Sequence, residues 1–219
     1  MSYLNTYRNR LNATGNNSSE SIIQGSKQSV ANNFSNSLFS EVVLINGIEY
    51  EAIITQENKS ENKKMLLKPD TKIEIGSIVK INTLNYLTVD FIGDGINEIY
   101  PTATLRLCNS TFPVKSNKVK TLKGNDSDGR PVYTERYAVD YKEPCVVEST
   151  LYNTLGSEQI QISDNNNLNI IMKYIIPDNV KIGSEFEMYD ETYEIVHIDK
   201  TKVINSKGII TINARRKVE

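Results

Sequence analysis

One stretch of this sequence occurs twice, and the recurrence limits the fold more than any other feature. Ile75-Gly76-Ser77 returns as Ile182-Gly183-Ser184, 107 positions later (182 − 75). The same displacement carries Val79 onto Phe186, Ile81 onto Met188, Tyr86 onto Tyr193, Val89 onto Val196 and Phe91 onto Ile198. It also carries Ala103, Thr104, Leu105 and Leu107 onto Ile210, Thr211, Ile212 and Ala214. Spacing held over so many positions marks a duplicated unit. Within the unit a glycine precedes a short segment of alternating apolar and polar residues, Val79-Lys80-Ile81-Asn82 or Phe186-Glu187-Met188-Tyr189. A period of two predicts a half-buried strand. A tight turn, a strand opened by the shared Tyr and a closing strand follow. That order is the grammar of a small SH3-like or OB-like barrel. The chain is therefore expected to be mainly β, with two tandem small barrel modules.

The first forty residues have a different texture. They are rich in Asn and Ser, with Tyr3, Tyr7 and Leu11, and more loosely Ile22, Ile23, Val30 and Phe34, at helical spacing. Gly15 and its polar neighbours break the pattern. Two thin-striped helices are expected, either laid on the adjacent barrel or reaching to a neighbouring subunit. From Glu41 the chain reads as strands. Asn46-Gly47 between Val42–Ile45 and Ile48–Ile54 is a strong hairpin signal, because both turn residues tolerate positive φ. Lys115 to Tyr141 is polar and holds Asn125-Asp126-Ser127-Asp128-Gly129-Arg130-Pro131, which reads as a long hairpin with its tip at that turn. These readings divide the chain into a helical arm (1–40), a first barrel module (41–112), a hairpin or linker (113–143) and a second barrel module (144–219).

With 25 basic and 27 acidic residues the net charge is -2, so no global attraction to nucleic acid or anionic membrane follows. No apolar run reaches the roughly 20 residues of a membrane span, and the N-terminus has no hydrophobic signal core. Cys108, Cys145 and the single His197 lack ligand or nucleophile spacing, and Asp126, Asp128 and Gly129 fall short of a calcium loop. Gly93-Asp94-Gly95 is a turn without a phosphate-binding helix after it. No catalytic residue, cofactor or metal site is expected, and the pairing of Cys108 with Cys145 is left open. Lys115, Lys118, Lys120 and Lys123 form a local basic run. Lys118 and Lys120 share a strand face, as a solvated edge guard or as contacts to phosphates or an acidic partner.

Several motifs carry a family likeness. Asn36-Ser37, Glu41-Val42 with Ile45-Asn46-Gly47 and Tyr50, Lys68-Pro69, Ile75-Gly76-Ser77 with Val79, Tyr86-Leu87 with Val89, Ile99-Tyr100-Pro101 with Ala103, and Cys108-Asn109 together resemble head–tail connector (neck) proteins of tailed bacteriophages of Gram-positive hosts. The likeness covers about residues 1–112, and the Lys-, Asn- and Ile-heavy composition fits a low-GC host. The resemblance implies a virion component made in the host cytoplasm, assembled as a ring, of six or twelve copies, between portal and tail. Its partners would be further copies of itself, portal or adaptor proteins and tail proteins, with non-specific contact to packaged DNA and no membrane. The candidate subunit contacts are Tyr7, Leu11, Ile22, Val30, Phe34, Lys118, Lys120 and Arg130. The second module departs from the shorter members and leaves open a tail-terminator, adaptor or baseplate station. A barrel that binds nucleic acid or cell wall, through Tyr86, Tyr100, Tyr193 and neighbouring Lys, is the reading from another class.

Overall fold

A computed structural model describes Tyr3 and residues 18–34, 36–57, 61–94, 98–116, 118–125, 127–137, 140–150, 167–175 and 180–217. Tyr7 and Leu11, and most of the first expected helix, lie outside these residues. The chain divides into two units, Met1–Leu107 and Cys108–Glu219.

The first unit holds helix α1 (Ser18–Phe34) and strands β1 (Ser40–Ile45), β2 (Ile48–Gln56), β3 (Asn62–Leu67), β4 (Ile78–Ile81), β5 (Leu84–Ile92) and β6 (Thr102–Leu107). The strands close into a barrel in the order β1-β2-β3-β6-β5-β4, with β4 returning to β1. Asn46 and Gly47 turn β1 into β2 with φ of 49° and 85°, the doubly left-handed geometry their identities predict. The pleat sends alternate residues inward, so Val43, Ile45, Met65, Leu67, Val79, Ile81, Ala103 and Leu105 form one core with Ala52 and Tyr86.

The second unit holds β7 (Ser110–Lys115), β8 (Lys118–Asn125), β9 (Pro131–Tyr137), β10 (Asp140–Thr150), β11 (Asn167–Lys173), β12 (Glu185–Met188), β13 (Glu191–Asp199), the short β14 (Val203–Ile204) and β15 (Lys207–Arg216). Its main sheet runs β7-β10-β11-β15-β13-β12, with β14 added to β15, while β8 and β9 pair only with each other among the described residues. Strand for strand this is the order of the first barrel, with β7 and β12 at the ends instead of joined. The duplication thus extends beyond the segments where sequence displays it. It also moves a boundary: β7 and β10 are barrel strands, so the second module starts at Cys108 and not at 144, and the hairpin inserted in it is only β8–β9. Lys115 to Tyr141 is polar overall, but Phe112, Val114 and Cys145 at its flanks face the second core. That alternation is too short to stand out from one sequence.

The repeated glycine turn is reproduced bond for bond. Gly76 N–H donates to Thr88 C=O at 2.8 Å, and Gly183 N–H to Ile195 C=O at 2.8 Å. Thr88 N–H donates to Ser77 C=O, as Ile195 N–H does to Ser184 C=O, both at 2.9 Å. The glycines take φ of 89° and 82°, where a Cβ would be strained. Both barrels then carry a bulge one residue later, at Val89 and at Val196. The displacement of 107 holds from the glycine turn through the bulge and changes in the last strand. Asp90 pairs with Thr104 but His197 pairs with Asn213, so Thr104 corresponds to Asn213 and not to Thr211. The second unit has a β13–β15 connection two residues longer. An even slip keeps every side chain on its face, which is why the alternation concealed it.

Candidate assembly surfaces

Helix α1 presents Ile23, Lys27, Val30 and Phe34 at i, i+4, i+7 and i+11, one face of a helix. Phe34 is buried, Val30 half-buried, and Ile22, one residue off the stripe, is 69% exposed. Lys27 is the unexpected member. Its side chain is nearly covered, yet its ammonium reaches Asp70 at 2.5 Å and Glu98 at 2.8 Å. Those hydrogen bonds, Asp70's first and then Glu98's, raise its pKa above the ordinary 10.5, against desolvation. A lysine on an apolar stripe reads from sequence as a defect in the stripe. It becomes intelligible only when the barrel turns at Asp70 and Glu98 are in place. The helix is thus tied to its own unit by Phe34 and Lys27, which leaves Ile22 outward with Leu38 and Phe39, also exposed.

The β8–β9 hairpin is a two-stranded sheet whose register sets Leu122 opposite Tyr133 and Lys120 opposite Glu135. Val119, Leu122, Val132 and Tyr133 are all exposed, and so are Lys120, Lys123 and Arg130. Lys118 opens β8; Arg130 follows Gly129, whose φ of 77° makes the tip. A lone two-stranded hairpin is marginal in water. This one is polar and apolar by turns on both faces and carries a basic edge strand, Lys118-Val119-Lys120-Thr121-Leu122-Lys123.

The second barrel has a seam that the first lacks. In the first, Leu44 pairs with Lys80 and Ile45 with Val79, and Asn46 N–H donates to Ile78 C=O at 2.9 Å. Antiparallel alternation makes Leu44–Lys80 the next hydrogen-bonded pair. Following the ladder registers around both sheets places Pro113 where Leu44 stands and Glu187 where Lys80 stands. Proline has no N–H to donate there. Among the described residues β7 and β12 share no ladder. Their core sides still meet, with Phe112 and Phe186 ring centroids 4.9 Å apart and Phe186 stacked on Tyr193 at 5.8 Å. Outside those rings two clefts of about 550 and 570 Å³ flank Pro113, bordered by Lys115, Lys142, Glu187 and Thr192.

The remaining sequence candidates are dispersed. His197 is exposed on β13 beside the bulge. Cys108 and Cys145 are both free thiols, which answers the open question of their pairing. Burial, with the Glu143 charge a lesser cause, pushes Cys108 up to about 12. Burial and then the nearby Cys108 do the same to Cys145. Thiols held protonated are poor nucleophiles and metal ligands. Tyr86 and Tyr193 are core residues, so neither ring is available for stacking on a base, while Tyr100 is exposed. Among the described residues no helix is long and apolar enough to cross a membrane.

Comparison with known proteins follows the same division as the two units. The chain is 29% identical over 183 residues to the SPbeta prophage-derived uncharacterized protein YomX of Bacillus subtilis (strain 168), covering 82% of this chain and 83% of that one. No solved structure matches. Residues 6–107 match the YomX N-terminal domain and residues 109–215 the YomX C-terminal domain, the break falling at the unit boundary. The chain is a phage-derived protein of the YomX domain families, with the N-terminal domain as a helix-bearing closed barrel and the C-terminal domain as its unsealed counterpart.

Proposed function

We propose that this protein is a non-enzymatic structural component of a tailed-phage particle, a ring-forming part of the neck that joins portal to tail around the DNA channel. The observation that carries the reading is the β8–β9 hairpin, whose exposed apolar side chains gain when a neighbour covers them and whose interleaved basic ones would pair with acidic groups there. Prophage origin of the relative and the connector-like motifs of the first unit point the same way. Rigid barrels with adjustable appendages suit closed rings, in which each copy offers one surface and receives on another. No cofactor enters this reading. The portal or adaptor and the tail are the expected neighbours.

The test is direct. Particles from an induced lysogen carrying an epitope-tagged chain are imaged with gold-labelled antibody, and the isolated protein is weighed by native mass spectrometry. Label at the head–tail junction and a closed oligomer of six or twelve copies are the expected results. Label at the tail tip would move the protein to the baseplate, and label retained on free tails at the end that meets the head would move it to a terminator. Absence from particles would overturn the reading.

Lys120, Lys123, Arg130 and exposed Tyr133 on the hairpin favour a second reading, a module that holds nucleic-acid phosphates. It requires DNA retention on filters that falls steeply with salt. The neck reading requires only weak, non-specific retention.

A further inference from the structure

Among the described residues the second barrel is left unsealed at one place, and the same unit carries a strand pair with no third strand. We propose that β8 of one copy adds, antiparallel, to the free edge of β12 in the next copy. This deepens the ring reading above and rests on it, because it names the contact that would join the copies.

Three observations converge. First, among the described residues β12 has a hydrogen-bonded partner on one side only, β13, and the place its twin β4 gives to β1 is denied to β7 by Pro113, which has no N–H. A single proline at the register position that needs a donor keeps the edge available, and an available edge is a template for another strand. Second, one register makes the first half of β8 complementary to the end of β12. β12 reads Glu185-Phe186-Glu187-Met188, with Phe186 and Met188 buried and the glutamates outward. Set antiparallel, Val119 comes beside Met188, Lys120 beside Glu187, Thr121 beside Phe186 and Leu122 beside Glu185. Apolar Val119 meets apolar Met188 on the core side, and the lysine meets a glutamate on the outer side. Glu185 already holds Lys217 at 2.6 Å, so it does not need a second cation. Third, the clefts beside Pro113 give the incoming strand room without repacking the rings behind them. Two marginal features thereby resolve each other, since the hairpin becomes a three-stranded sheet and the barrel edge is covered. The donor and acceptor surfaces differ, so the contact is heterologous and propagates around a ring.

A copy cannot satisfy its own edge and its neighbour's by the same strand, so the test must distinguish the two. Lys120→Glu and Glu187→Lys are each expected to lower the oligomer, by native mass spectrometry, to mostly monomer while circular dichroism stays unchanged. The double variant K120E/E187K is expected to restore the oligomer, because the pair is reversed and not removed. For a readout independent of charge, Lys120→Cys and Glu187→Cys chains are mixed and oxidised. A disulfide-linked heterodimer of the two single variants supports the contact, and neither variant alone should dimerise as readily. Rings that persist in both charge variants, or no heterodimer, would overturn the strand addition while leaving the neck reading in place. A chain missing from particles whose heterodimer still forms would do the reverse. An intrachain crosslink in the doubly substituted Lys120→Cys, Glu187→Cys chain would mean that the hairpin folds back on its own edge, which also overturns the proposal.

Discussion

If packing of the aromatic rings holds the two edges of the second barrel together where hydrogen bonds do not, Phe112 is the seam's most sensitive residue. It is fully buried, lies one position before Pro113, and touches Phe186 across the seam at 4.9 Å. A buried Phe removes about 200 Å² from water, or about 5 kcal/mol at 25 cal/mol per Å². Alanine keeps a fraction of that and leaves a cavity, so Phe112→Ala should cost about 3–5 kcal/mol, the tilted aromatic contact with Phe186 included. The counterpart at this position in the closed barrel is Val43, where Val43→Ala removes a smaller side chain and leaves the β1–β4 ladder in place. Chemical denaturation of both variants gives the magnitudes, and native-state hydrogen exchange gives the location. Amides of 110–115 and 185–188 should lose protection before the rest of the second unit, whereas Val43→Ala should show no such preference for the β1–β4 seam. A loss below about 1 kcal/mol for Phe112→Ala, or uniform loss of protection, would refute the idea that aromatic packing holds this seam.

Further outcomes follow from single contacts. Thr88 is fully buried, its hydroxyl oxygen has no partner among the described residues, and the second barrel has Ile195 at its place. Thr88→Val should therefore raise stability, by about 1 kcal/mol, since it removes a desolvated polar group at nearly constant shape; a lower denaturation midpoint would show that the hydroxyl is satisfied in solution. Lys27 has a raised pKa in the folded chain, so its contribution is complete below about 10.5 and fades as pH rises through the higher folded value. Wild type should lose more stability than Lys27→Met when thermal melts are compared from pH 9 to pH 11.5, and parallel curves would contradict the ion pair. Cys108 and Cys145, pushed up to about 12, should react with a thiol-specific reagent at pH 8 far more slowly than after unfolding; immediate labelling of two thiols in the native protein would contradict their burial.

Much of this architecture is written locally. A glycine that must take positive φ, a two-residue period after it and a shared Tyr are statements about the backbone of a few adjacent residues. They appear in the sequence wherever they occur, which is why Gly76 and Gly183 disclosed the duplication. Asn46-Gly47 and the polar turn before Pro131 are equally local. The first strands of the second barrel were not legible. β7 and β10 correspond to β1 and β2 only through ladder partners, and Phe112 and Cys145 share no identity with Val43 and Ala52. Core positions conserve volume and direction more readily than residue type, and a different side chain fits once its neighbours change in compensation. Ala103 and Leu105 against Ile212 and Ala214 show such an exchange, large for small, in the same two inward places.

The candidate surfaces divide in the same way. The basic alternation of β8 was visible, because charge and parity are properties of one strand. The role of Lys27 was not, because Asp70 and Glu98 stand far from it in the chain. Nor was the meaning of Pro113, which by itself says only that one backbone donor is missing. By itself the sequence determined that this chain makes two glycine-turned barrels with a polar hairpin in the second half. Only the tertiary structure decided that one barrel closes and the other, among its described residues, does not. Closure depends on which residue the fold brings to the last ladder position, and at that position one copy has an N–H and the other has none.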